Sequence, residues 1–227
     1  MSRRASVLSV LILSAVAACE SNPAAVSRFG GQPALRIINA FTAPVDVLVD
    51  GQVAVSGMAA GAIDTIGPSL GAHTVTLRAG GVSSSQSITT AAGALNTVAV
   101  VRSSSGSVST AILDDTNSVV PAGATKLRVI HLAPNAGTLQ VYRTQPDFAS
   151  PVSWQFPFNY QPDPTSLSAP FYQSTVGTWE VRIWQTPADA SGWSTAPVKV
   201  IVPLASGEKR TILMLDKVGG GVRFEII

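Results

Sequence analysis

The chain is poor in cysteine, in charge and in long apolar runs, and each scarcity excludes something. One cysteine in 227 residues rules out a disulfide framework and any paired-cysteine metal or redox site. Charged residues make up 12%, against about 25% in an ordinary soluble domain, so surface polarity must come mainly from Ser, Thr, Asn and Gln. The longest apolar stretch, Val7 to Val16 broken by Ser9 and Ser14, falls short of the roughly 20 residues that cross a bilayer as a helix. Sustained 3.6-residue periodicity is also missing after residue 19. Glycine and proline are plentiful instead, at 19 and 15 residues, which favours turns and short strands.

The amino terminus reads as an export signal. Arg3 and Arg4 precede the apolar run, which has the length of a signal-peptide core. Val16-Ala17-Ala18-Cys19 follows and resembles the bacterial lipobox, in which small residues precede the cysteine that becomes lipidated. Residues 1–18 are therefore expected to be a lipoprotein signal peptide, with Cys19 the acylated first residue of the mature chain. Two or three acyl chains hold a protein stably on a membrane, where one does not. Glu20 favours the outer membrane by analogy with enteric bacteria. Of the 15 basic residues, Arg3 and Arg4 leave with the signal, which matches the remainder to the 13 acidic ones. No basic tract is left to follow a phosphate backbone, so nucleic acid is not an expected partner.

The rest of the chain repeats itself. After an Ala/Pro/Ser/Gly-rich tether, residues 19–34, LRIINA at 35–40 returns as LRVIHL at 127–132. VDVLVDG at 45–51 answers TLQVYRT at 138–144, and LGAHTVTLRA at 70–79 answers VGTWEVRIWQ at 176–185. AAGALNTVAVV at 91–101 answers LASGEKRTILML at 204–215 with a one-residue slip. Four blocks in one order predict an internal duplication. Many blocks alternate with period two: Val45, Val47 and Val49 against Asp46, Leu48 and Asp50, or Trp179, Val181 and Ile183 against Glu180, Arg182 and Trp184. That is the pattern of strands with one face on a core. The expected fold is all-β: two tandem antiparallel immunoglobulin-like β-sandwich domains after the signal peptide. The first repeat is expected over 35–115, a linker over 116–125, and the second repeat over 126–227 with an insertion near 148–172.

LRVIHLAPNAGTLQVY at 127–142 resembles the opening of a bacterial family of secreted and surface modules, the domain-of-unknown-function 4397 (DUF4397) family. The second copy carries Arg128, His131, Pro134 and Ala136, and the first carries Val45-Asp46-Val47 and Asp50-Gly51. The copies depart from the pattern at Asn39, where the His stands, and at Gln140, where the Asp stands. The resemblance implies an immunoglobulin-like fold in envelope proteins and implies no catalytic residue.

Motifs that could carry chemistry are few. Gly67-Pro68-Ser69-Leu70-Gly71 spells G-x-S-x-G, but a nucleophile elbow needs a strand before the Ser and a helix after it, and here a strand follows. Ser206-Gly207-Glu208-Lys209 spells S-x-x-K without companion motifs. The two histidines fall at non-equivalent places: His73 aligns with Trp179 and His131 with Asn39. His131 is expected to hydrogen-bond the loop Ala133 to Gly137. Asp114, Asp115 and Asn117 at the junction are weak calcium candidates whose spacing fits no calcium loop, and no cofactor is implied. The insertion holds Trp154, Phe156, Phe158, Tyr160, Phe171 and Tyr172 among five prolines. Rings on a stiff loop make low-entropy contact area for a protein or glycan, although they could equally cap the sandwich or form added edge strands. The functional expectation is a lipid-anchored envelope protein, not an enzyme, acting in binding, adhesion or scaffolding. The alternative is an envelope hydrolase with its site in an interdomain cleft.

Overall fold

The computed structural model describes residues 30–113, 120–137, 139–144, 152–158, 166–167, 171–185, 198–217 and 219–227. Within them the chain is almost wholly strand. The first half runs β1 (Ala34–Asn39), β2 (Val45–Val49), β3 (Gln52–Met58), β4 (Ile63–Ile66), β5 (Gly71–Ala79), β6 (Val82–Thr90), β7 (Leu95–Arg102) and β8 (Val108–Leu113). The second runs β9 (Ala124–Leu132), β10 (Leu139–Thr144), β11 (Val152–Phe158), β12 (Ser166–Leu167), β13 (Tyr172–Thr175), β14 (Gly177–Gln185), β15 (Val198–Leu204), β16 (Lys209–Asp216) and β17 (Val222–Ile226).

These strands form four sheets. In the first half an outer sheet, β3-β2-β5-β6, faces an inner sheet, β8-β7-β1-β4. In the second half the outer sheet is β11-β10-β14-β15 and the inner sheet β13-β9-β16-β17. The fold is all-β and sandwich-like, as expected. Its strand order differs from the immunoglobulin one, which places A, B, E and D in one sheet and C, F and G in the other. Lettered in the same way, each half here reads D-A-G-H and C-B-E-F. The outer sheets are antiparallel, but the inner ones are mixed, because β1 lies parallel to β7 and β9 parallel to β16. A parallel pair needs a long crossover, and the outer sheet of each half supplies it.

Pairing registers put the halves in correspondence. Asp46 lies opposite Arg78 and Gln140 opposite Trp184, so the structure equates Asp46 with Gln140, one residue away from a string-for-string match of 45–51 with 138–144. Thr97 lies opposite Arg36, and Thr211 opposite Arg128. Strand β9 begins at Ala124, inside the stretch expected to be linker. Strand β11 is the counterpart of β3, and the second half is longer than the first in the connections before and after β11 and between β14 and β15.

Three apolar clusters locate the layers. Leu35, Ile37, Val98 and Val100 meet Val47, Val75 and Leu77 inside the first sandwich. Leu127, Val129, Ile212 and Met214 meet Val141, Val181 and Ile183 inside the second. The third cluster joins the halves: Ile38, Ala40, Ala99, Val101, Ala111 and Leu113 pack with Ile130, Leu132, Leu213 and Leu215. The inner sheets are thus buried on both faces, which is why LRIINA, TVAVV, LRVIHL and TILML are continuous apolar runs where the outer strands alternate.

Polar contacts fringe this interface. The Arg223 guanidinium on β17 donates to the Gly61 carbonyl in the β3–β4 turn. Gly61 has φ +75°, a backbone conformation that favours glycine. Reciprocally, β12, from the connection between β11 and β13, pairs with Ile112–Leu113 of β8. At another point Arg102 Nη1 donates to Asn135 Oδ1 (3.4 Å), and Asn135 Nδ2 to Asp216 Oδ2 (2.7 Å).

A shared cluster makes the halves mutually dependent. Replacing the fully buried Leu213 by Ala should cost about 2–5 kcal/mol, and urea unfolding of the wild-type chain should be one transition by both fluorescence and circular dichroism. Two separated transitions, with Leu213→Ala moving only the later one, would contradict a common core.

Candidate functional site

One grouping of Ser, His and Asp lies at an end of the first sandwich. The β2–β3 hairpin turns through Asp50 and Gly51, with φ 51° and 80°, the two positive angles of a two-residue hairpin loop. Asp50 is the only non-glycine residue with positive φ among the described residues, and its carboxylate is directed to β5. Oδ1 accepts from the Thr74 N–H (2.9 Å), and Oδ2 faces His73 Nδ1 (2.7 Å). His73 occupies an inward position of β5 and is buried. Its Nε2 lies 2.9 Å from the Ser69 carbonyl oxygen and 3.4 Å from Ser69 Oγ. Thr90 Oγ1 donates to the same carbonyl at 2.6 Å. The G-x-S-x-G segment therefore does meet a histidine, four residues after Ser69, and strand register brings to that histidine an aspartate 23 residues before it.

The geometry is that of a clamp, since the short contact of Nε2 goes to the Ser69 carbonyl and the longer one to the hydroxyl. A general base needs a lone pair aimed at the hydroxyl. Here Nε2 makes its short contact to a carbonyl, which only an N–H can make, and the hydroxyl is the distant partner. Nδ1 faces the carboxylate at 2.7 Å as well, so both ring nitrogens meet acceptors, an arrangement that the imidazolium satisfies in full. Asp50 raises the proton affinity of His73, with the Ser69 carbonyl adding to it. The His73 hydrogen bond, then the Thr74 N–H, hold the Asp50 carboxyl below the ordinary carboxylate range.

The second half carries an internal control. Trp179 stands where His73 stands, and its indole Nε1 donates to the Thr175 carbonyl at 3.0 Å. That acceptor, like Ser69, lies four residues before the ring. The Arg143 guanidinium lies 4.6 Å from the Trp179 ring centroid and donates to Ser174 Oγ at 3.0 Å. A tryptophan cannot act as a base, so the position asks for a ring N–H.

His131 and Asn39 form a second equivalent pair. His131 Nδ1 accepts from the Ala133 N–H (3.2 Å), and Nε2 donates to the Gly137 carbonyl (2.7 Å). This is the loop contact expected from the sequence. Asn39 Oδ1 accepts from the Phe41 N–H (3.0 Å), and Nδ2 faces the carbonyls of Ala43, Met58 and Ala59 at 2.9–3.0 Å. Both side chains accept from the amide two residues on and donate to the following loop. Burial lowers the proton affinity of His131, opposed by the Gly137 bond, and its partners fix the neutral Nε2–H tautomer. A third pair lies deeper: Arg128 Nε donates to Thr211 Oγ1 at 2.8 Å beneath the Phe171 ring, 4.2 Å from its centroid, while Arg36 and Thr97 are buried at the matching positions of the first half.

The outer face of β14 departs from the alternating pattern. Glu180 and Arg182 were expected on the solvent side, yet both are buried, paired with each other and with Lys199 Nζ 3.4 Å from Glu180 Oε2. Their counterparts in the first half include the exposed Thr74.

The aromatic candidates divide between sheets. Trp154, Phe156 and Phe158 lie on β11, an edge strand of the outer sheet, of which the backbone alone is described. Tyr172 is half-buried on β13 of the inner sheet, opposite Leu127. Tyr160, Cys19, Asp114, Asp115 and Asn117 lie outside the described residues. Among the described residues no three His, Cys, Asp or Glu side chains are grouped to hold a metal.

Two outcomes follow. Ser69 should not react with a fluorophosphonate probe, and Ser69→Ala should leave stability within about 0.5 kcal/mol, as for an ordinary surface change; covalent labelling at Ser69 would restore the relay reading. His131→Asn should fold with near-native stability, whereas His131→Leu leaves the Ala133 N–H and Gly137 carbonyl unsatisfied at about 1–3 kcal/mol each. The folded state binds the His131 proton more weakly than the unfolded chain. The stability it confers is therefore present above its ordinary value of 6.5 and lost as pH falls below that. Urea unfolding at descending pH should show this acid loss in the wild type and less of it in His131→Asn.

No curated protein matches the chain. A family model, Domain of unknown function (DUF4397), matches residues 33–142. The match covers every strand of the first half and continues through β9 into β10, and so takes in Ile130 and Leu132, which close the contact between the inner sheets. Over residues 33–142 the chain is thus similar to the DUF4397 family.

Proposed function

We propose that the protein is a lipid-anchored component of the bacterial cell envelope, held at Cys19 with the outer membrane favoured, and that it binds or scaffolds without catalysing a reaction. In this reading two copies of one ancestral unit stand off the membrane on the 19–34 tether, which as a flexible coil reaches roughly 20 Å. The observation that carries the non-catalytic part is the exchange of residues at equivalent positions. Each histidine that could do chemistry has a counterpart, Trp179 or Asn39, that shares one of its hydrogen bonds to the nearby backbone and cannot do it. The apolar packing between the inner sheets also fills the place where a hydrolytic cleft between domains would lie. Recognition then falls to surfaces that carry little charge, with a protein or glycan partner contacted through shape and aromatic area, including Trp154, Phe156, Phe158, Tyr160 and Tyr172.

Anchoring is tested by expression in a bacterial host fed an alkyne fatty acid. The wild-type chain should be labelled and recovered with membranes, and Cys19→Ala should be unlabelled. Equal labelling of both would remove the anchor. Crosslinking in intact cells addresses the partner: a crosslinked species should be weakened in a Trp154→Ala, Tyr160→Ala double variant whose melting temperature is unchanged. A large fall in melting temperature would show those rings to be core instead.

A further inference from the structure

At Trp179 and at His73 the fold places a ring N–H on the carbonyl four residues back, but the two rings differ in chemistry. Indole has one N–H and meets one acceptor, the Thr175 carbonyl. Imidazole has two nitrogens, and at His73 both meet acceptors: the Asp50 carboxylate at 2.7 Å and the Ser69 carbonyl at 2.9 Å. A neutral imidazole carries a single N–H. Whichever nitrogen lost its proton would turn a lone pair toward an oxygen within 3 Å, and that contact would open. The two contacts coexist only in the charged ring.

We propose that His73 is a proton-operated latch, which ties the Asp50–Gly51 hairpin tip to the Gly67–Leu70 segment when protonated and releases one of them when the proton leaves. What it ties is distinct on each side. Asp50 ends the β2–β3 hairpin of the outer sheet and also caps the Thr74 N–H. Ser69 belongs to the connection between the inner and outer sheets and is followed by Leu70, 57% exposed and among the most exposed large apolar residues described. The latch therefore governs how firmly an apolar side chain and a hairpin tip are presented at one end of the first half. The second half keeps the equivalent end closed at any pH through Trp179 and Arg143.

The surroundings leave the proton to Asp50. The charge acting on His73 comes from that carboxylate; β6 contributes Ile88 opposite His73 and the Thr90 hydroxyl on the Ser69 carbonyl, and β5 contributes Thr74, none of which titrates. The effect of Asp50 and the Ser69 carbonyl is to raise the proton affinity above its ordinary value of 6.5. A raised value means that the latch is fully closed below 6.5 and opens as pH climbs through the folded-state value.

The test uses the full chain. Long-range proton–nitrogen spectra of the imidazole rings, recorded from about pH 5 to pH 8.5 across the histidine range, should show His73 losing its second ring proton with a midpoint above 6.5, and His131 neutral on Nε2 alone at the upper end. Amide exchange at residues 49–52 and 67–71 is then compared, at each pH, with that of His73→Trp, the residue the other half uses. The ratio of wild-type to variant exchange should rise with pH by about tenfold for each unit by which the His73 proton affinity exceeds the ordinary one. A His73 midpoint at or below 6.5, or a constant ratio, would overturn the latch. Should His73→Trp not fold, the ring titration of the wild type decides alone: a midpoint above 6.5 supports the latch, and one at or below 6.5 refutes it.

Discussion

Two apolar sheet faces buried against each other set the terms for the rest of this molecule. A sandwich normally leaves the outer face of each sheet to water. Here β1, β7, β9 and β16 have no such face, because Ile38, Ala99 and Val101 of the first half close on Ile130, Leu213 and Leu215 of the second. The polar groups that this packing buries on those strands therefore need partners inside the protein. That demand accounts for the buried Arg128–Thr211 bond, for Thr125 Oγ1 on the Glu208 carbonyl, and for Asn39 and His131 folding back onto their own following loops. The residues that look most chemical in the sequence are those that satisfy this constraint.

Comparing the halves separates what a position needs from what its residue could do. At 39 and 131 the need is an acceptor for the amide two residues on and a donor for the next loop. Asn and neutral His both offer this, one through its amide and the other through its two ring nitrogens. At 73 and 179 the need is one ring N–H, met by imidazole or indole. Only where the substitute brings an extra nitrogen, at His73, does the exchange add something, and there Asp50 has been placed against it.

The sequence made the outer strands readable and the inner ones less so. Period-two alternation in 45–49, 74–78 and 179–183 places the inward Val, Leu and Ile residues correctly, because one side of those strands faces a single core. The uninterrupted runs around Ile37, Val100, Val129 and Leu213 carried a different message, burial on both faces, and so the packing of the halves was written in the residues that do not alternate. Two features were beyond periodicity. Glu180 and Arg182 alternate like solvent residues and are nonetheless covered, since a strand pattern says which face a residue takes and not whether more chain lies on that face. The Asp50–His73 contact joins residues 23 apart, and it depends on the hairpin register that places Asp50 beside Thr74, which no local motif encodes.

The contact between the inner sheets also determines which surfaces can associate. Equivalent positions from each half meet in it, Ile38 with Ile130, Ala40 with Leu132, Ala99 with Leu213 and Val101 with Leu215 as counterparts, which is the signature of a two-fold, self-complementary interface. The counterparts are unequal in size: the first half offers Ala, Ala and Val where the second offers Leu three times. Two first halves brought together would leave voids, and two second halves would be overpacked, and both cost stability. The small set against the large set fills the space. The pairing is thereby specified within one chain and against its own symmetric alternatives, and it closes, leaving no inner face over for a further copy. The surfaces left for association are the outer sheets and the strand edges.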